Sequence, residues 1–272
     1  AVVVVAVALG GCSSGGGPER ARGHGERPGA GQRGPDGERR RERAAAPRLV
    51  DTPCTDPAAE AAGFRCQSLA APEDRADPTG RQVELPVLRL GSPSSGQAPV
   101  VVLHGGPGAG VVDDWALWST ADVVGDGDGE LVLYDQRGAG RATPRLECPE
   151  HAEAMQEVLA TTDPWEDERG VVADALARCH DRLTAGGVDL DQYDTPTSTR
   201  DLEDLRIALG AEQLTLVGQS YGTRLALDYL RTHPDRVRAL VLDGLLGNTK
   251  ELTRKVGAGL RARGSVPRLA EL

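Results

Sequence analysis

Four short segments of the chain are apolar or nearly so and end at glycine or a polar residue: Val100–Leu103, Leu131–Tyr134, Leu214–Val217 and Ala239–Leu242. An apolar run of this length is expected of a strand buried on both faces, as in a parallel sheet flanked by helices. A further strand is expected near Val83–Leu90. Ala152–Leu159, Val171–Leu183, Thr199–Leu209 and Thr223–Arg231 read as helices lying among them. Strands alternating with helices predict a doubly wound, mostly parallel α/β sheet in one domain. Aromatic residues make up only 3% of the chain, so its core must rely on Leu, Val and Ala.

The run Leu214–Val217 leads directly into Gly218-Gln219-Ser220-Tyr221-Gly222, and a helical pattern follows at once. Strand, G-x-S-x-G and helix in that order form a nucleophile elbow, a turn so sharp that the serine hydroxyl is exposed on a strained backbone. The flanking glycines are needed because a Cβ there would meet the neighbouring strand and helix. Ser220 is therefore the candidate nucleophile of a serine hydrolase. A serine hydroxyl also needs a base, an acid to orient that base, and N–H donors for the developing oxyanion.

The donors are readable. Val100–Leu103 ends in His104-Gly105-Gly106-Pro107-Gly108. The loop after this strand supplies one amide and the residue after the nucleophile the other. These are assigned to Gly106, with Gly105 as the alternative, and to Tyr221. His104 sits on the oxyanion side and is read as fixing the loop. Leu131–Tyr134 runs into Asp135-Gln136-Arg137-Gly138-Ala139-Gly140; Thr143 stands where a dinucleotide fingerprint needs its third glycine, so that reading falls. Asp135 and Arg137 are expected to form a structural ion pair beside the site.

Taken together, HGGPG at 104–108, DQRGAG at 135–140, GQSYG at 218–222 and VLDG at 241–244 resemble the secreted tripeptidyl-aminopeptidase branch of the proline-iminopeptidase family of α/β-hydrolases. Cys148-Pro149, Ala177–Cys179, Asp189–Thr195 and Asp201–Arg206 extend the resemblance over roughly residues 50 to 246. It implies an α/β-hydrolase fold and an exopeptidase removing short N-terminal peptides or single residues. An esterase of the same fold, and a binding lipoprotein or inactive remnant lacking the base, are the alternatives.

In that family the catalytic acid and histidine follow the nucleophile on later strands. Here the chain ends at Leu272, and His24, His104, His151, His180 and His233 do not follow a late strand. Asp243 is a candidate acid by its position at a strand end, although the resembling family does not place its acid there. Residues 247–272 are basic and depart from the family pattern. A truncated product is the expectation, with residues 49–246 a partial hydrolase domain whose open sheet edge would make it poorly soluble.

The amino-terminal residues 1–12 read as the end of a signal peptide's apolar core, and Leu9-Gly10-Gly11-Cys12 fits a lipobox with Cys12 as the lipidated residue. Residues 13–48 are rich in Gly, Arg, Pro and Glu and read as a flexible tether. From 18 to 48 there are nine arginines and five acids, which leaves 22 basic and 36 acidic residues elsewhere, a balance near −14. Such a tether suits anionic lipid headgroups; acids dilute its arginines and stacking aromatics are absent, which argues against nucleic acid. With Cys12 lipidated, four of the five cysteines remain, and the pairing that closes local loops is Cys54–Cys66 with Cys148–Cys179. No cofactor or metal is expected; Asp126–Gly129 reads as a surface turn rather than a calcium loop. The protein is expected to be an exported monomer, on the outer face of the membrane as a lipoprotein or extracellular, acting on a peptide, small amide or ester.

Overall fold

The computed structural model describes residues 46–92, 97–120, 129–162 and 165–245. Cys12, nearly all of the 13–48 tether, Asp126 and the 247–272 tail lie outside the described residues.

The described strands are β1 (Leu49–Asp51), β2 (Arg65–Pro72), β3 (Gln82–Leu90), β4 (Val100–Leu103), β5 (Leu131–Tyr134), β6 (Leu214–Gln219) and β7 (Val237–Asp243). They form one sheet in the order β1-β2-β3-β5-β4-β6-β7. The β5, β4, β6 and β7 neighbours pair in parallel, while β1, β2, β3 and the β3–β5 pairing are antiparallel. The α/β-hydrolase fold class thus holds, with a more mixed sheet than the apolar runs alone predict. The reason is local. Only residues 73–81 separate β2 from β3, too few for the helical crossover that a parallel pair requires.

Helices cover both faces: α1 (Pro57–Ala61), α2 (Trp115–Thr120), α3 (Pro149–Leu159), α4 (Trp165–Ala185), α5 (Thr195–Ala208) and α6 (Tyr221–Thr232). The sheet residues divide by parity, as the two-residue repeat of a strand demands. Val101, Leu103, Val132 and Tyr134 point to the face covered by Leu202 and Leu205 of α5 and by Leu225 and Tyr229 of α6. Val100, Val102, Leu131 and Leu133 point to the other, against Ala59, Phe64, Val111 and Trp118. Burial on both sides is why β4 and β5 are apolar at every position.

Two disulfides join Cys54 to Cys66 and Cys148 to Cys179, the pairing expected from loop closure. The second fastens the start of α3 to α4. Beside it Arg182 reaches Glu150 at 2.6 Å, and this hydrogen bond holds the Glu150 carboxyl down to about 2.

The loop after β5 is locked by Arg137. Its guanidinium donates to both carboxylate oxygens of Asp201 on α5, at 2.6 and 2.7 Å. It also donates to the carbonyls of Pro72, Glu73 and Gln192. These five bonds match the five N–H groups a guanidinium carries. Both Arg137 and Asp201 are 1% exposed. The expected Asp135–Arg137 ion pair is therefore not formed. Asp135 is occupied by backbone amides, and Gly110 and Gly140 press so close to it that a guanidinium has no room.

Removing one partner of a buried pair leaves the other charge without compensation. Arg137→Leu is expected to cost about 3–5 kcal/mol of stability in a denaturant titration. Arg137→Lys should recover only part of it, because an ammonium cannot reproduce the planar fork. A loss below about 1 kcal/mol for the Leu variant would show the pair to be dispensable.

Candidate active site

The parallel strands β4, β6 and β7 end together. Leu103 pairs with Gly218 and Gln219 with Asp243, so the 104–108 loop, the elbow and Asp243 all leave the sheet at its carboxyl edge. In open α/β sheets this is where ligands bind.

Ser220 stands between β6 and α6 with φ +50° and ψ −117°, the one positive-φ residue other than glycine among those described. Such a conformation persists only where the surroundings over-determine it. They do so here. The Ser220 N–H donates to the Asp243 carbonyl at 2.7 Å, and the Ser220 carbonyl accepts from the Thr223 N–H at 3.0 Å. The glycines make the turn possible. A Cβ on Gly218 would lie 2.7 Å from the Gly222 carbonyl oxygen, and one on Gly222 only 1.8 Å from that of Leu103. The start of α6 thus rests on the backbone of β4. The Ser220 hydroxyl is half-buried and makes no capping bond to the helix.

The 104–108 loop lies against the serine. A Cβ on Gly105 would come within 2.8 Å of the Ser220 Cβ, so this position admits no side chain. The Gly105 N–H donates to His104 Nδ1 at 2.7 Å. That amide is already engaged, and Gly106 beside it is exposed at φ +110°. The Tyr221 N–H lies in the first turn of α6, where amides have no partner inside the helix.

His104 behaves as a loop residue. Its ring packs edge-on against Trp118 and its Nε2 faces Asp114 at 3.7 Å. Its carbonyl accepts from the buried Gln136 side chain at 3.1 Å. Asp135 reinforces the same loop from below: Oδ1 accepts from the Val111 and Val112 amides and Oδ2 from that of Arg141. Burial pushes the Asp135 carboxyl up, and the three amides pull it back. These supports were not legible beforehand; the only signal was a polar DQR triplet directly after a buried strand.

Among the described residues no imidazole is hydrogen-bonded to Ser220. His180 is exposed beside Asp181. His233 stacks on Tyr229 beyond the far end of α6, about 18 Å along a twelve-residue helix from the elbow. Asp243 is half-buried. A cavity of about 240 Å³, lined in part by Asp56, Leu88, Val112, Trp115 and Arg141, includes none of Ser220, Gly106 or Tyr221.

The family model for the alpha/beta hydrolase fold matches residues 98–262. The chain belongs to the α/β-hydrolase fold family. Among these α/β-hydrolases it is 30% identical over 203 residues to a tripeptidyl aminopeptidase of Streptomyces lividans, covering 69% of this chain and 36% of that protein. It is 31% identical over 190 residues to the serine protease Hip1 of Mycobacterium tuberculosis, covering 67% and 36%. To a proline iminopeptidase of Xylella fastidiosa it is 34% identical over 147 residues, covering 54% and 32%. The chain spans about a third of the length of these relatives. It is thus an α/β-hydrolase related, at low identity, to peptidase-like enzymes.

The strain at Ser220 has a measurable consequence. A residue held at such a backbone conformation costs about 1–3 kcal/mol, whereas glycine adopts positive φ freely. Ser220→Gly is expected to raise stability by about 1 kcal/mol, read from its denaturation midpoint. Destabilisation by that variant would show the elbow to be relaxed.

Proposed function

We propose that the protein is an exported serine hydrolase, an exopeptidase that removes short N-terminal peptides or single residues. The observation that carries this reading is Ser220 itself, held at φ +50° on a strand-to-helix turn directly against Gly105. Its oxygen attacks the scissile carbonyl, and the Gly106 and Tyr221 amides receive the negative charge that develops on the carbonyl oxygen. A histidine and an acid from outside the described residues complete the triad; Asp243 is a candidate acid by position only. The peptidase assignment is supported by the similarity to a tripeptidyl aminopeptidase and a proline iminopeptidase. Export is supported by the lipobox-like Leu9–Cys12 and by a cysteine set that pairs into two disulfides.

A fluorophosphonate probe is expected to label the wild-type protein, and Ser220→Ala to abolish labelling. Labelling that survives the substitution overturns the assignment. The peptidase should release a chromogenic amine from an N-terminal tripeptide amide; turnover of simple esters alone would make it an esterase.

Lipidation of Cys12 predicts that the protein partitions with membranes and requires detergent for extraction, and that Cys12→Ser releases it. Wild-type protein recovered in the aqueous fraction would refute the anchor.

A further inference from the structure

Thr223 holds the carbonyl of the Ser220–Tyr221 peptide. A trans peptide is planar, with its C=O and N–H pointing in opposite directions. The Ser220 carbonyl accepts two hydrogen bonds from Thr223, one from the backbone N–H at 3.0 Å and one from Oγ1 at 2.6 Å. Pinning this carbonyl into the first turn of α6 turns the Tyr221 N–H the other way, out of the helix. Thr223 itself is 0% exposed, and its Cα lies 2.9 Å from where a Gly218 Cβ would stand, so it has little room to shift.

A threonine bonding back to a carbonyl three residues earlier is ordinarily a local competitor of the helix. Here the acceptor belongs to the peptide that follows the strained residue, and rotation of that peptide would relax Ser220 and misdirect the amide together. We propose that Thr223 is a positioning residue that aims the Tyr221 N–H at the oxyanion. This rests on the reading of Ser220 as nucleophile and of the Tyr221 amide as a donor. In this role the hydroxyl acts through the Ser220 carbonyl and not on the reacting atoms.

The test compares Thr223→Val with Thr223→Ser in the full chain, with two readouts. Removing an oxyanion donor outright costs about 10²–10³ in kcat, so misdirecting one should slow both turnover and fluorophosphonate labelling of Ser220 roughly 10-fold in the Val variant. KM should stay unchanged, and the Ser variant should match wild type. Independently of catalysis, the carbonyl ¹³C resonance of Ser220 should move in the Val variant and not in the Ser variant, reporting the lost hydrogen bond. Should Thr223→Val fail to fold, Thr223→Ala makes the same comparison without adding atoms to the Gly218 contact. A labelled wild type with unchanged rate in the hydroxyl-free variant overturns the positioning role and leaves the nucleophile standing. Reduced thermal stability with wild-type kcat likewise assigns Thr223 to structure alone. A wild type that is not labelled removes the nucleophile reading, and this proposal with it.

Discussion

A single buried guanidinium ties together the parts that carry the site. Arg137 binds the end of β2, the turn before α5 and the side chain of Asp201 at once, with every N–H matched to an oxygen. Burying such a pair stabilises only when its hydrogen bonds are complete, and here they are. The benefit is positional as much as energetic. Asp201 also receives Arg75, which reaches on to Asp204, so α5 is anchored along one face. From α5, Thr199 bonds Asp228 of α6 at 2.9 Å and Thr195 bonds the Tyr221 hydroxyl at 2.8 Å. The elbow is thereby referenced to the rest of the domain through side chains as well as through β6.

A second layer of order sits in the loops. Asp135 is not paired with a cation; it gathers three amides from two loops that must lie side by side above the sheet. His104 and Gln136 then fix the one peptide between them, His104 through the Gly105 N–H and Gln136 through the His104 carbonyl. The division of labour is chemical. Side chains engage the amides of Gly105, Val111, Val112 and Arg141, so the loops beside the serine are fixed by named bonds.

Legibility followed burial. β4 and β5 were readable to the residue because both faces are covered and every side chain is apolar. β7 and helices α3 to α6 were found with starts set too late, since their first turns carry capping and polar residues such as Pro149 and Asp194, while the short α1 and α2 were not found. β2, with the sequence RCQSLAAP, was not found, because only two of its residues are fully buried and no clean alternation survives. Within the site, Ser220 and the 104–108 loop were visible because a tight turn admits few sequences. The bond from the Gly105 amide to His104 Nδ1 was not, as it depends on how the loop folds back on its own side chain. The partners of Asp135 and Arg137 were equally hidden, most of them being set by segments 23 to 65 residues away.

The elbow's glycines and its serine answer to different demands. Gly105, Gly218 and Gly222 face atoms with which any Cβ would clash, chiefly backbone, so packing alone excludes larger residues whether or not the chain does chemistry. Ser220 stands alone in the opposite position: its backbone would be more comfortable as glycine, and its hydroxyl caps no helix. Neutral drift in a lineage that no longer used the site would therefore keep the three glycines and surrender the serine. Around this turn the glycines are the signature of a fold, and the serine is the residue that records a use.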